Sequence, residues 1–205
     1  MMKRNITCLC GRDFMADVEE EIDLDSGGEY LQKISDGTFM TFICPNCEKK
    51  HKPEFQIMII WKSKKLKLEV IPELERGEFY RRKKEKLSHE TIIGYPEMAD
   101  RIAVIHDDLE PAAIEALKYY LLVKAEENYP DKEINAWYFQ KTGEAIEFHL
   151  TGIKEDEVAV MKVPIAVYEK TREDYRKHPK NDIFTGLRCR SYLSVQNMLR
   201  PDVLK

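Results

Sequence analysis

Four of the five cysteines stand in two tight pairs, Cys8-Leu9-Cys10-Gly11 and Cys44-Pro45-Asn46-Cys47. Thiols one or two residues apart can point the same way from a tight turn, and two such turns brought together supply the four sulfurs that tetrahedral zinc accepts. The thiols bind as thiolates, so a metal there lowers their pKa values and releases protons. Pro45 fixes one backbone angle of the second turn, whose later amides can point at its first sulfur; Gly11 gives the shorter first turn the backbone freedom it needs. A disulfide across Cys8-Leu9-Cys10 would be strained. An iron or iron–sulfur centre and a thiol redox pair are the competing readings. Against the redox pair, Cys44-Pro45-Asn46-Cys47 leaves a strand-like run instead of opening a helix. Cys8, Cys10, Cys44 and Cys47 are therefore the candidate ligands of one Zn2+ ion, with His51 the nearest spare donor. Four protein ligands leave no coordination position for water, so hydrolysis at this metal is not expected.

The remaining chemistry-bearing residues make weaker patterns. Cys189 lies between Arg188 and Arg190, whose charge can activate a thiol, but no histidine can be placed beside it from sequence. Asp23-Leu24-Asp25-Ser26-Gly27-Gly28 puts glycine where a calcium loop needs an oxygen ligand, and reads as a turn. Asn5-Ile6-Thr7 matches a glycosylation sequon that is silent without secretion. His89, His106, His149 and His178 are scattered, with no His-Glu-x-x-His spacing, and there is no glycine-rich phosphate loop. No catalytic residue emerges, and an enzyme reading is left to an unrecognised pocket in the second half.

Hydrophobic residues make up 43% and charged residues 34% of the 205-residue chain, the balance of a folded protein. No run approaches the roughly 20 apolar residues of a membrane span. Met1-Met2-Lys3-Arg4 does not lead into a long apolar stretch, so a cytoplasmic location is expected, where paired cysteines are more often metal ligands than disulfides. The net charge of −4 is unevenly spread. Residues 13–29 are acidic, whereas basic clusters occupy 62–67 (Lys62, Lys64, Lys65, Lys67) and 81–86 (Arg81, Arg82, Lys83, Lys84, Lys86). These clusters, with Trp61 and Phe79-Tyr80 beside them, offer nucleic acid a contact by stacking and phosphate pairing. The neighbouring glutamates favour a solvated mixed-charge surface instead.

The elements that must position the cysteines are mostly strands. Arg12 to Leu24 alternates as a strand or hairpin arm, Glu29 to Ile34 makes a helical turn, and Thr38 to Ile43 runs as a strand into Cys44. Glu54 to Trp61 and Leu66 to Val70 form an antiparallel hairpin. Glu73 to Leu87 is very polar and reads as an exposed helix or connector. A short helix covers 97–105. A capping box of Asp107 and Glu110 opens the clearest helix, which ends by Asn128. Hairpin strands at 134–140 and 145–150, a strand at 158–163, partial helix at 164–175 and a closing helix over 188–199 complete an α+β chain. The expected organisation is a zinc-ribbon-like antiparallel β unit at 1–72, a polar connector at 73–90 and an α+β domain at 91–205.

A Cys-x-Cys near the N-terminus followed by Cys-Pro-x-Cys at a strand end resembles the CpXC domain family, over about Thr7 to Ile71 and, in longer members, through Gly94-Tyr95-Pro96 and the helix near Asp107. The resemblance implies a zinc-binding prokaryotic protein of uncharacterised function and supports Cys8, Cys10, Cys44 and Cys47 as ligands. The chain departs from zinc knuckles at Glu48, which stands where glycine often follows the second cysteine. The expected role is an interaction module, an adaptor for another protein, with nucleic acid as the alternative partner and no membrane.

Overall fold

The computed structural model describes residues 1–82 and 89–199. Their contacts divide into two units, 1–82 with 89–99 and 100–199. The whole is α+β.

In the first unit, β1 (Met2–Thr7) and β2 (Asp13–Val18) form one antiparallel ladder, Ile6 opposite Phe14. The strand expected over 12–24 is broken: β3 (Glu21–Asp23) leaves this ladder for another sheet. Acidic Glu19-Glu20 separates two short apolar sets, Ala16 and Val18 on β2 and Ile22 and Leu24 after it, and each set is buried. Helix α1 (Gly28–Ser35) follows, then a second small ladder of β4 (Phe42–Ile43) and β5 (Lys50–His51). The strand expected over 38–43 shrinks to its last two residues. Met40, in a left-handed conformation at φ 50°, interrupts it.

The larger sheet of this unit runs β8-β7-β6-β3, from β6 (Ile57–Trp61), β7 (Leu66–Ile71) and β8 (Glu90–Ile93). The β6–β7 hairpin sets buried residues opposite each other, Ile57 with Val70, Ile59 with Leu68 and Trp61 with Leu66. A one-residue slip would turn all of these to the other face, so the register is strongly specified. The expected hairpin is present, but β3–β6 and β7–β8 are parallel pairs. Parallel neighbours need long crossovers, and the crossover from β3 to β6 carries α1 and the β4–β5 ladder. The second crossover carries α2 (Arg76–Arg81). It is not a fully exposed connector: Phe79 is buried, and Arg76 bonds Glu73, Glu97 and the Ile93 carbonyl. Gly94 follows at φ 82°, where a Cβ would lie 2.9 Å from the Glu73 carboxylate. It leads into α3 (Tyr95–His106).

The second unit is built on α4 (Pro111–Asn128), which packs on the antiparallel sheet β11-β10-β9. Its strands are β9 (Asn135–Lys141), β10 (Ala145–Thr151) and β11 (Ala159–Pro164). Ile114 and Leu117 join Ile146, Phe148 and Tyr168 in the core. The expected Asp107 cap is not used. Pro111 at the first helical position makes Glu110 the cap, its side chain accepting from the Ala112 amide. Asp107 accepts the Tyr138 hydroxyl instead. Then come α5 (Ile165–Lys177), α6 (Asp182–Gly186), the hairpin of β12 (Arg188–Cys189) and β13 (Tyr192–Leu193), and α7 (Gln196–Leu199). The closing helix expected over 188–199 is that hairpin as far as Leu193 and helix only over Gln196–Leu199, because Arg190, at φ 57°, turns the chain back.

Candidate metal centre

Each cysteine pair sits at the end of a two-stranded ladder. In the β1–β2 turn the Cys8 amide donates to the Arg12 carbonyl at 2.9 Å, and the Gly11 amide donates to the Cys8 carbonyl at 2.9 Å. In the β4–β5 turn the Cys44 amide donates to the Lys49 carbonyl at 2.9 Å, and the Glu48 amide to the Cys44 carbonyl at 3.0 Å. Both turns close through a residue of positive φ, Gly11 at 83° and Glu48 at 58°. Glu48 thus takes the left-handed conformation that glycine would supply.

The turns meet with the four sulfurs all within 4.8 Å of one another. Cys8 Sγ is 3.5 Å from Cys47 Sγ, and Cys10 Sγ is 3.8 Å from Cys44 Sγ. A tetrahedron with metal–sulfur bonds of about 2.3 Å has sulfurs about 3.8 Å apart, so the donor set fits a metal ion in both number and spacing. Cys8 and Cys44 are buried, Cys47 is partly buried and Cys10 is exposed.

Two polar side chains face the sulfurs. Asn46 donates from Nδ2 to Cys10 Sγ at 3.6 Å, and His51 Nε2 lies 3.2 Å from Cys8 Sγ. The Asn46 amide, with the Arg12 backbone amide and neighbouring thiols, pulls Cys10 down to about 6. Cys44 is also lowered, because the amides of Asn46 and Cys47 outweigh its burial. At Cys8 the Cys10 amide favours the thiolate, but burial and the surrounding thiols push it up to about 12. Without a counter-charge, four sulfurs this close cannot all be anionic, and the surroundings of Cys8 favour its thiol form. A divalent cation removes that conflict.

The other sequence candidates are not part of this cluster. Cys189 is partly buried in β12, in register with Tyr192. The 23–28 segment is a turn, in which Asp23 Oδ1 accepts the Asp25 amide at 3.0 Å. Of the basic clusters, Lys62 pairs with Asp23 at 3.0 Å and Arg82 with Glu78 at 3.0 Å, and Lys64 lies over the Trp61 ring. Lys83, Lys84 and Lys86 lie outside the described residues. Among the described residues no helix is long and apolar enough to cross a membrane.

One group was not anticipated. Lys118, with Asp100 and Glu115, forms a buried ionic triad in the second unit, in which Lys118 Nζ bonds Asp100 Oδ2 and, at 2.8 Å, Glu115 Oε1. The carboxylates are shared with backbone amides, Asp100 with Tyr138 at 2.6 Å and Glu115 with Val195 at 2.7 Å. The i,i+3 spacing of Glu115 and Lys118 was the one local signal.

Comparison with known proteins yields one family and one full-length relative. The CpXC protein family matches residues 6–118, a span that includes all four clustered cysteines. An uncharacterised protein of Treponema pallidum (strain Nichols) is 29% identical over 214 aligned residues, covering 94% of this chain and 97% of that protein. No solved structure matches.

Proposed function

The chain belongs to the CpXC protein family, and from that premise we propose that Cys8, Cys10, Cys44 and Cys47 hold one structural zinc ion and that the unit it stabilises is an interaction module for another protein. The spacing of the four sulfurs is the observation that carries this reading. An all-thiolate tetrahedral set takes zinc or iron–sulfur chemistry, and four protein ligands suit a closed structural site. A two-stranded ladder is marginal by itself in water. Metal bonds that join β1–β2 to β4–β5 therefore supply folding energy directly, and the two ladders are the zinc-ribbon-like part of residues 1–72. Thiolate ligands persist in a reducing compartment, which favours the cytoplasm.

The adaptor role draws support from exposed apolar side chains beside the ligands. Leu9, between two ligands, is 91% exposed, and Ile43, just before Cys44, is 59% exposed. Both are apolar side chains exposed beside the ligands, Leu9 in the β1–β2 turn and Ile43 at the end of β4. The basic residues that would serve nucleic acid are engaged by acids of the same chain at Lys62 and Arg82, which weighs against that partner.

Elemental analysis of the purified protein tests the reading. It should find one zinc per chain, and Cys44→Ser should lower both occupancy and resistance to urea. Full occupancy in Cys44→Ser would remove the ligand set.

A further inference from the structure

The metal-bearing unit contains a half-enclosed cavity of about 330 Å3 that the cysteines do not line. Its walls are mainly apolar, from Ile34, Phe39, Tyr95, Met98 and Ala99. Ile34, Phe39 and Met98 are buried, and the Phe39 and Tyr95 rings stand 5.5 Å apart at a 56° tilt, so one wall is aromatic. Ligand pockets span roughly 300–1,000 Å3, which puts this one at the lower end of that range, with room for an aromatic or branched apolar group.

Two charged residues also line the cavity, and they are not equivalent. Glu54 is committed, since its two carboxylate oxygens accept the amides of Tyr95 at 2.7 Å and Glu73 at 2.6 Å. Those N–H dipoles offset its charge, and the hydroxyl of Tyr95 is taken up by the Phe55 backbone. Lys52 is exposed and donates one hydrogen bond, to the Gly37 carbonyl at 2.5 Å. An ammonium carries three donors, so two remain for an anion. Lys52 also lines a second, open and more polar cavity of about 420 Å3, beside Asn5, Thr7, His51 and Phe55. The ammonium thus stands where an apolar hole adjoins a polar surface.

We propose that this cavity is a binding site for an apolar or aromatic group bearing a carboxylate, with the apolar group between Phe39, Tyr95 and Met98 and the carboxylate on Lys52. The shared chemistry has two sources, a free small carboxylate and the C-terminal residue of a peptide. In the second case the polar cavity holds the residues that precede it. The inference rests on reading this unit as an interaction module, and it names the feature of the partner that the module would take.

The test uses the full-length zinc-loaded protein and three probes: 3-phenylpropionate, acetyl-Gly-Phe with a free carboxylate, and the same peptide as its C-terminal amide. Binding is followed by amide and aromatic chemical shifts. The free acids should shift signals of Phe39 and Tyr95, and the amide should bind at least about tenfold more weakly, the loss expected for a charge-assisted hydrogen bond. Tighter binding of the peptide acid than of phenylpropionate assigns the source to a chain terminus; the reverse order assigns it to a small acid. Lys52→Met should erase the preference for acid over amide, and Ala99→Leu, which narrows the cavity, should weaken binding of all three. Absence of shifts at Phe39 and Tyr95, or an acid preference that survives Lys52→Met, would overturn the proposal. Zinc content measured on the same samples separates this failure from a failure of the metal reading, because the cavity is lined by none of the cysteines.

Discussion

The imidazole Nε2 of His51 stands 3.2 Å from the sulfur of Cys8, a thiol whose pKa is pushed up by burial and the neighbouring thiols. His51 is the last residue of β5 and reaches from one cysteine hairpin to the other. The Phe14 ring meets it edge-on at 5.9 Å and orients it. As a donor to the Cys8 thiolate, His51 would stabilise the ligand without replacing it.

His51→Ala should therefore lower zinc affinity by about 10–100-fold, the usual effect of losing such an outer partner, and leave the stoichiometry at one. Competition with a chromogenic chelator reads the change. Unaltered affinity would remove His51 from the account.

Glu48 is held at φ 58° by the turn that presents Cys44 and Cys47. A side chain in this conformation costs about 1–2 kcal/mol, and glycine recovers most of it at some entropic cost. Glu48→Gly should raise stability by about 0.5–1 kcal/mol in urea unfolding of the zinc-loaded protein, while Glu48→Val should lower it. A loss of stability in Glu48→Gly would mean that the carboxylate makes an interaction worth more than the backbone strain.

In the second unit, Lys118 is 3% exposed and balances Asp100 and Glu115. Removing one member leaves uncompensated buried charge, so Lys118→Met should cost about 3–5 kcal/mol. The triple replacement Asp100→Asn/Glu115→Gln/Lys118→Met should recover part of that loss. A cost near zero for the single change would contradict the ion triad.

The same lysine sets a pH dependence. Burial alone would push Lys118 down, but the two carboxylates more than offset this and hold it above the ordinary lysine value of 10.5. A raised pKa in the folded state gives a stabilisation that is fully present below 10.5 and lost as pH rises through the folded value. The difference in thermal midpoint between wild type and Lys118→Met should be constant near neutrality and shrink in strongly alkaline solution. A difference that widens with pH would reverse the assignment. Glu115, held low by Lys118 and Arg101 despite burial, acts at the other end: its stabilisation is lost as pH falls through its folded value.

How far these features were legible varied with the range of the interaction. The cysteine turns are local, and their residue types and spacing carried the cluster directly from sequence to structure. The β6–β7 hairpin was equally readable, because its alternation and its turn lie side by side. The parallel pairing of β3 with β6 was not, since the 33 residues between Asp23 and Ile57 carry no mark of which strand edge they return to. The Asp107 cap failed to a near neighbour: Pro111 moved the helix start to Glu110 and freed Asp107 for Tyr138. The 188–199 helix failed to one residue, Arg190, in the left-handed region. The cavity beside Lys52 gathers residues from α1, the segment before β6 and α3, so no sequence window could contain it.

X-ray absorption at the zinc edge of the purified protein tests the central claim most directly. The account predicts four sulfur scatterers at about 2.3 Å and no nitrogen or oxygen in the inner sphere. A sphere that contains His51 nitrogen or water in place of one cysteine, or a protein that binds no zinc, would contradict it.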